Sequence, residues 1–384
     1  MLGSWHKPGP VLLLQTSDWH LGRTLLGRSL IPDQAHVLEQ LVQIVLDRRP
    51  EIVLIVGDLF ERSSPQEEAV ALLDSVISRL VLDCKVKVVV IPGQGDKLGR
   101  MALGSRLVDK RGLQVITSID QALSPISLED ADGPLHLITL PYLPPASVAR
   151  HFRGRQVETW SQAASLVIDH LTRRLRKKAV RGVVAAYLRV EGGRTCGVER
   201  PMGNGHEQPV ALSIFEGISY GAFGYLHEEQ RLGDQGHLCY SGSILSYSFE
   251  EDPGKGVLLA EVDAEGNATI EKIDLVPKRQ LHQLAGTLEE LLLPPRRTIG
   301  PEDLVKLQLT AETGPIKPED FEVLQRLYPN LVAIDRPVMK AQLERTEWQD
   351  AATMFAAFYQ QATGNALAIE ERVLLLKALD EGQP

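Results

Sequence analysis

Three β-branched runs in the first hundred residues each end in a loop of small residues carrying an aspartate, and this pattern constrains the fold more than any other feature. Val11-Leu12-Leu13-Leu14 leads into Ser17-Asp18-Trp19-His20, and Ile52-Val53-Leu54-Ile55-Val56 leads into Gly57-Asp58. Val86-Lys87-Val88-Val89-Val90-Ile91 leads into Gly93-Gln94-Gly95-Asp96. Between the first two, Asp33 to Arg48 places Val37, Leu38, Leu41, Ile44 and Val45 at helical spacing, and Pro50 ends it. Between the second and third, Pro65 to Leu82 carries Val70, Leu73, Val76, Ile77 and Leu80 on one stripe. A β-α-β-α-β order predicts an α/β layered domain. In such sheets, sites form outside the carboxyl ends of the strands, so the three loops converge. Asp18 and His20, two apart on an extended segment, can turn toward one ion, and Asp58 on its glycine turn can approach the same point. A lone Asp-x-His means only a solvated loop. Three such loops, each after a strand, mean a site.

The rest of the chain continues the layered pattern and then changes character. Leu135 to Leu140 and Gly182 to Ala186 read as strands around a helix from Ser161 to Lys178. Tyr220 to Gly242 is loop-like, with a short strand at Ala222-Phe223-Gly224-Tyr225. Gly256 to Val262 and Ala268 to Ile273 form a hairpin through Glu265-Gly266-Asn267. Pro294-Pro295 and Pro301 mark a linker, followed by a small β-α-β over Val305 to Leu309, Pro318 to Tyr328 and Leu331 to Ile334. Two helices, Glu347 to Ala362 and Ala368 to Leu379, close the chain. The expected units are 1–278, 279–340 and 341–384, which suits 384 residues at roughly 100–200 per domain.

Charge and cysteine usage narrow the function classes. With 41 basic and 50 acidic side chains and a net charge of -9, the chain is unlike a free-standing, sequence-blind DNA binder. A local basic groove or a partner that supplies charge remains compatible with that balance. No apolar run approaches the ~20 residues that cross a bilayer, and Met1 to Pro10 lacks the apolar stretch of a signal peptide. Cys84, Cys196 and Cys239 share no metal-type spacing, as expected of reduced thiols in a cytoplasmic protein.

At these loops the sequence resembles the calcineurin-like metallophosphoesterases, whose motifs run D-x-H, G-D, G-N-H-D/E, G-H and G-H-x-H. Thr16 to Arg23, Gly57 to Ser64, Tyr240 to Glu250 and Lys255-Gly256 are similar, more narrowly, to the family's bacterial DNA-end-processing nuclease subunits. The resemblance implies a layered β-sandwich core flanked by helices, a small α+β capping domain and a C-terminal helical pair. It also implies a homodimer acting at DNA ends in repair or recombination, with a coiled-coil ABC-type ATPase as partner and no membrane. The family's first metal ligands correspond to Asp18, His20, Asp58 and His227, all present. Of the second metal's ligands only the shared Asp58 survives. Gln94 stands for Asn, Tyr187 and Tyr225 stand for two histidines, and the histidine that assists the departing oxygen is Gly95. Random drift would not be expected to spare one set and strip the other. The expectation is one divalent transition metal (Mn first, Fe or Zn next) and a weak or lost nuclease. The alternatives are a working Mn-dependent exo- or endonuclease and, third, a phosphoesterase for a small substrate.

Arg23 and Arg28 follow the first loop and are candidate phosphate contacts. His36 lies in a helix and reads as packed or surface, and His206 as a solvated loop residue. His237 is the better outsider because its segment leads into Tyr240-Ser241-Gly242-Ser243. Arg173, Arg174, Arg176, Lys177, Lys178 and Arg181 read as a solvated basic face at a helix end, with a phosphate-contact patch as the alternative. Met354, Phe355 and Phe358, with Val373, Leu374, Leu375 and Leu379, form an apolar stripe suited to packing or to the ATPase partner. Dimerisation is expected through Asp33 to Arg48 and the helix near Met101 to Lys110.

Overall fold

The computed structural model describes residues 10–97, 112–176, 181–202, 208–311, 316–337, 355–356 and 358–360. His206, Lys177, Lys178, Met354, the Met101 to Lys110 segment and the helix expected from Ala368 to Leu379 lie outside these residues.

Two six-stranded mixed sheets stack face to face. The first holds β1 (Val11–Ser17), β4 (Ile52–Val56), β5 (Lys87–Ile91) and β6 (Leu113–Val115) in parallel, with β13 (Gly256–Val262) and β14 (Ala268–Asp274) added antiparallel on the β1 side. The second runs β11 (Gln230–Leu232), β12 (Leu238–Tyr240), β10 (Tyr220–Gly224), β9 (Arg181–Tyr187), β8 (Gly133–Leu140), β7 (Ile126–Asp130). β2 (Thr24–Leu25) and β3 (Arg28–Ser29) form a small hairpin after the first loop.

Residue alternation explains the continuous apolar runs. Leu13, Ile52, Leu54, Val56, Val89 and Ile91 meet Leu135, Leu137, Val183, Ala185 and Ala222 between the sheets. Their neighbours Leu14, Val53, Ile55, Val88 and Val90 face α1 (Ile31–Arg48) and α2 (Glu67–Ser78) on the outer side. Ile138, Val184 and Ala186 face α5 (Trp160–Arg176) across the molecule. A strand covered on both faces has no polar alternation to show. Two short helices, α3 (Ile119–Ala122) and α4 (Pro145–His151), precede α5. Helix α1 starts with a proline in its first turn and stops at Arg49, whose left-handed φ of 50° precedes Pro50. α2 runs on into a π turn over Arg79–Asp83. Gly224 lets the sheets close at their carboxyl ends, because a Cβ there would stand 2.2 Å from the Val56 carbonyl oxygen.

A third sheet is smaller and wholly parallel: β15 (Leu281–Gly286), β16 (Leu304–Leu309) and β17 (Leu331–Asp335). α6 (Leu288–Leu291) and α7 (Pro318–Leu327) lie along it, and Val305, Leu307, Leu324 and Tyr328 form its core. Pro294-Pro295 therefore lies inside this unit, between α6 and β16, and is not a linker ahead of it. β15 and β7 escape sequence reading because they are half-buried strands without a run of apolar residues. The small sheet is tied to the main body by Arg279 Nε to Asp33 Oδ1 at 2.7 Å and Lys306 Nζ to Glu250 Oε1 at 2.9 Å.

Candidate metal centre

The three loops meet at the carboxyl ends of β1, β4 and β5. The first two are stitched together by backbone bonds from His20 N to Asp58 O (2.9 Å) and Leu21 N to Leu59 O (2.8 Å). Asp18 and His20 both adopt left-handed φ values, 49° and 44°, a local strain typical of functional loops. The conformation is held from outside. Gln34 on α1 donates to the carbonyls of Trp19 (3.0 Å) and His20 (2.8 Å), and Tyr247 donates to Trp19 O. Gln34 was legible only as a polar residue on the otherwise apolar stripe of that helix. Gly57 has φ +91°, and a Cβ there would collide with Tyr187 at 2.6 Å.

Asp18, His20 and His227 come together with one donor atom each inside 4.8 Å. His20 Nε2 faces His227 Nε2 at 3.1 Å, and Asp58 Oδ2 lies 4.0 Å from His20 Nε2. Two imidazole nitrogens at that distance must share a proton or a cation. A carboxylate stands behind each ring. His20 Nδ1 lies 3.1 Å from Glu61 Oε2, and His227 Nδ1 lies 3.6 Å from Glu251 Oε1. The Glu61 carboxylate beside His20 Nδ1 favours the tautomer that leaves His20 Nε2 open as a ligand, whereas Glu251 stands beyond hydrogen-bond reach of His227 Nδ1. Two imidazoles and the Asp18 carboxylate form one donor group that suits a divalent transition ion, while Asp58, expected as the fourth ligand, stands outside that group.

Burial sets the electrostatics. Asp18 is buried, and desolvation lifts its carboxyl to about 7, with the Asp58 charge adding to the rise and His20 opposing it. Burial also works upward on Glu61, but His20, Arg23 and Arg200 overcome it and hold that carboxylate down at about 2. Arg200 reaches Glu61 Oε1 at 2.5 Å and so draws the 190–202 loop over the site. Asp96 is raised by burial and by Asp58, while it accepts amides of Leu59, Phe60 and Gly93. It is a loop-closing residue. Arg200 and Glu251 were not singled out from sequence, and Glu61 and Lys255 only as members of family-like stretches, since nothing in their spacing marks a residue that acts through another side chain.

The second half of the centre is differently furnished. The Tyr187 hydroxyl donates to Asp58 Oδ2 at 3.0 Å, and Gly95 N donates to Asp58 Oδ1 at 2.7 Å. The Tyr187 phenol is pushed well above its ordinary value by burial and then by Asp58 and Asp18, so it stays a protonated donor. Gln94 turns its amide to the Pro201 carbonyl at 3.2 Å. Tyr225, with a positive φ of 111°, offers its amide to Asp18 Oδ2 at 3.0 Å, and its phenol is raised by burial.

Other expected positions fall elsewhere. Arg23 pairs with Glu61 at 3.3 Å and lies 5.0 Å over the Tyr247 ring, at the edge of the centre, while Arg28 is exposed on the β2–β3 hairpin. His237 precedes β12 at the opposite, amino end of the sheet and is no ligand of this centre. Arg181 is not on a helix face: it opens β9, is buried, and grips Asp130 at 2.5 Å. His36 is exposed on α1. Phe355 and Phe358 are exposed.

Residues 11–141 match the model of the calcineurin-like phosphoesterase family. The chain is a homologue of the SbcD nuclease subunit. It is 28% identical over 363 residues to the SbcD component of the SbcCD nuclease of Staphylococcus epidermidis, covering 93% of this chain and 94% of that protein. Among solved structures, a dimetal phosphatase from Danio rerio is 14% identical, covering 70% of this chain and 98% of that one with a TM-score of 0.46. A protein of Thermus thermophilus is 12% identical, covering 68% and 99%, with a TM-score of 0.39.

Proposed function

We propose that this chain is an SbcD-type subunit that works at DNA ends with an SbcC-like coiled-coil ATPase, holding one divalent metal at Asp18, His20, Asp58 and His227 and having weak or no nuclease activity. The observation that carries this reading is the Tyr187 hydrogen bond to Asp58 Oδ2. Asp58 is the carboxylate that would bridge two ions, and both its oxygens already accept, one from a phenol and one from the Gly95 amide. A protonated phenol cannot replace an imidazole lone pair.

A divalent ion at the first position supplies a Lewis acid to a phosphodiester, whereas efficient in-line displacement is served by two ions clamping both the attacking and leaving oxygens. The residues present do the rest. Glu61 and Glu251 stand behind the two imidazoles, and Lys255 anchors the His227 carbonyl at 2.8 Å. Arg23, at the edge of the centre, and the exposed Arg28 are the candidate phosphate contacts. Gly95 offers an amide but no proton-transfer group, and a positioned acid–base histidine is worth about 10²–10⁴-fold.

Metal content and nuclease activity on one purified sample test this. One tightly held ion per chain, lost in Asp58→Ala and kept in Gln94→Ala, with feeble cleavage, is the expected result. The combined change Gln94→Asn, Gly95→His, Tyr187→His and Tyr225→His should add a second ion and Mn-dependent cleavage, while single changes do little. Two ions at full occupancy in the unaltered chain, with brisk cleavage, would instead establish the active nuclease.

A further inference from the structure

His227 has two sides, and only its Nε2 belongs to the centre described above. The ring is 2% exposed, and its Nδ1 has no hydrogen-bond partner among the described residues. Glu251 Oε1, at 3.6 Å, is too far to accept from it. Beside it lies the Cys196 thiol, and one donor atom each from Cys196, His227 and Glu251 fall within 4.8 Å of one another. Cys196 sits in a half-buried loop after β9, and its sulfur donates to Glu199 Oε1 at 3.3 Å. That same oxygen accepts the His227 amide at 3.2 Å, which fixes Glu199 beside the group.

We propose that Cys196, His227 Nδ1 and Glu251, with Glu199 beside the sulfur, form a second binding site, selective for a thiophilic divalent ion such as Zn²⁺. A thiolate, an imidazole and a carboxylate are the donor types zinc takes, at about 2.0–2.3 Å each. The charge balance suits the ion. With the thiol proton released to solvent, Cys196, Glu199 and Glu251 carry three negative charges against the single ammonium of Lys255, which lies 2.6 Å from Glu251 Oε2. No electron transfer is involved; a sulfur–proton bond is exchanged for a sulfur–metal bond. Closing the group around an ion requires a shift of the Cys196 sulfur away from Glu199 Oε1, which it now meets at 3.3 Å.

Occupation of this site has a consequence for the neighbouring centre. An imidazole bound through Nδ1 carries its proton on Nε2, and Nε2 then cannot act as a ligand toward Asp18 and His20. Zinc should therefore weaken Mn²⁺ binding at the first centre by at least about tenfold, since even the outer partners of a ligating histidine are worth about 10–100-fold. This competition rests on the metal reading of the first centre; the thiolate site itself does not.

Titration of the full chain with Co²⁺ separates the two. A sulfur-to-cobalt charge-transfer band in the near ultraviolet should appear in the unaltered protein, vanish in Cys196→Ser, and persist in Asp18→Asn. Absence of the band, or its survival in Cys196→Ser through Cys84 or Cys239, overturns the proposal. Failure of the first-centre reading would show differently, as total cobalt uptake that Asp18→Asn leaves unchanged.

Discussion

Asp18 and Asp58 share one loop cluster and are handled in opposite ways. Asp18 is desolvated and raised to about 7, so below that pH it holds a proton that an incoming ion must displace. Mn²⁺ affinity should therefore fall roughly tenfold per unit as the pH drops below about 7, and level off above it. Calorimetric titration across that range checks the sign; an affinity independent of pH would contradict the assignment of Asp18. Asp58 instead spends a lone pair on the Tyr187 hydroxyl. Tyr187→Phe removes a hydrogen bond to a buried carboxylate and should cost the metal-free protein about 1.5–3 kcal/mol, read from its urea midpoint. The positions of Asp18, His20 and Asp58 were legible because each follows a strand end. The role of Tyr187 was legible only by family register, and its hydrogen bond not at all, since 129 residues separate donor and acceptor.

Among the elements, β9 shows how a charge can be misread. In sequence Arg181 ends a basic run and reads as solvent-facing. In the fold it starts a central strand, and its guanidinium clasps both Asp130 oxygens and the Gly133 carbonyl at 2.6 Å. This clasp ties the β7–β8 turn to the start of β9 within the second sheet. Removing one member of a buried pair strands the other, so Asp130→Ala should cost about 3–5 kcal/mol in a denaturation experiment. The pH sign follows from the shift. Burial alone would raise the Asp130 carboxyl, but Arg181 lowers it below its unfolded value. The pair's contribution is thus complete above the ordinary carboxylate pKa near ~4 and lost as the pH falls below it. Unaltered and Asp130→Asn proteins should converge in stability on acidification below that point; a constant gap would count against the pair.

At the scale of the whole molecule, the small parallel sheet completes its own core by Ile334 and docks on the main body through Leu281, Leu304 and the Arg279–Asp33 pair. A chain ending at Arg336 should accordingly fold and keep its metal. It should lose co-purification with an SbcC-like ATPase if the tail is the docking element, and undiminished co-purification would refute that role. If the chain dimerises through its N-terminal part, the same truncated chain should be a dimer by light scattering, and a clean monomer at micromolar concentration would argue against that interface.

The sequence by itself determined the α/β layering, the parallel β1–β4–β5 order and the point where the three loops meet. These are local facts: a doubly covered strand must be apolar throughout, and a parallel crossover places each loop at the same edge. It also marked His227 and the substituted positions through family register. Only the tertiary structure decided which carboxylate stands behind which imidazole, that Gln94 turns away to Pro201, that Arg181 is buried, and that Cys196, His227 and Glu251 come together. Each of these depends on contacts between residues far apart in the chain, set by the packing of two sheets and the loops between them. Spacing along the backbone carries no information about such contacts.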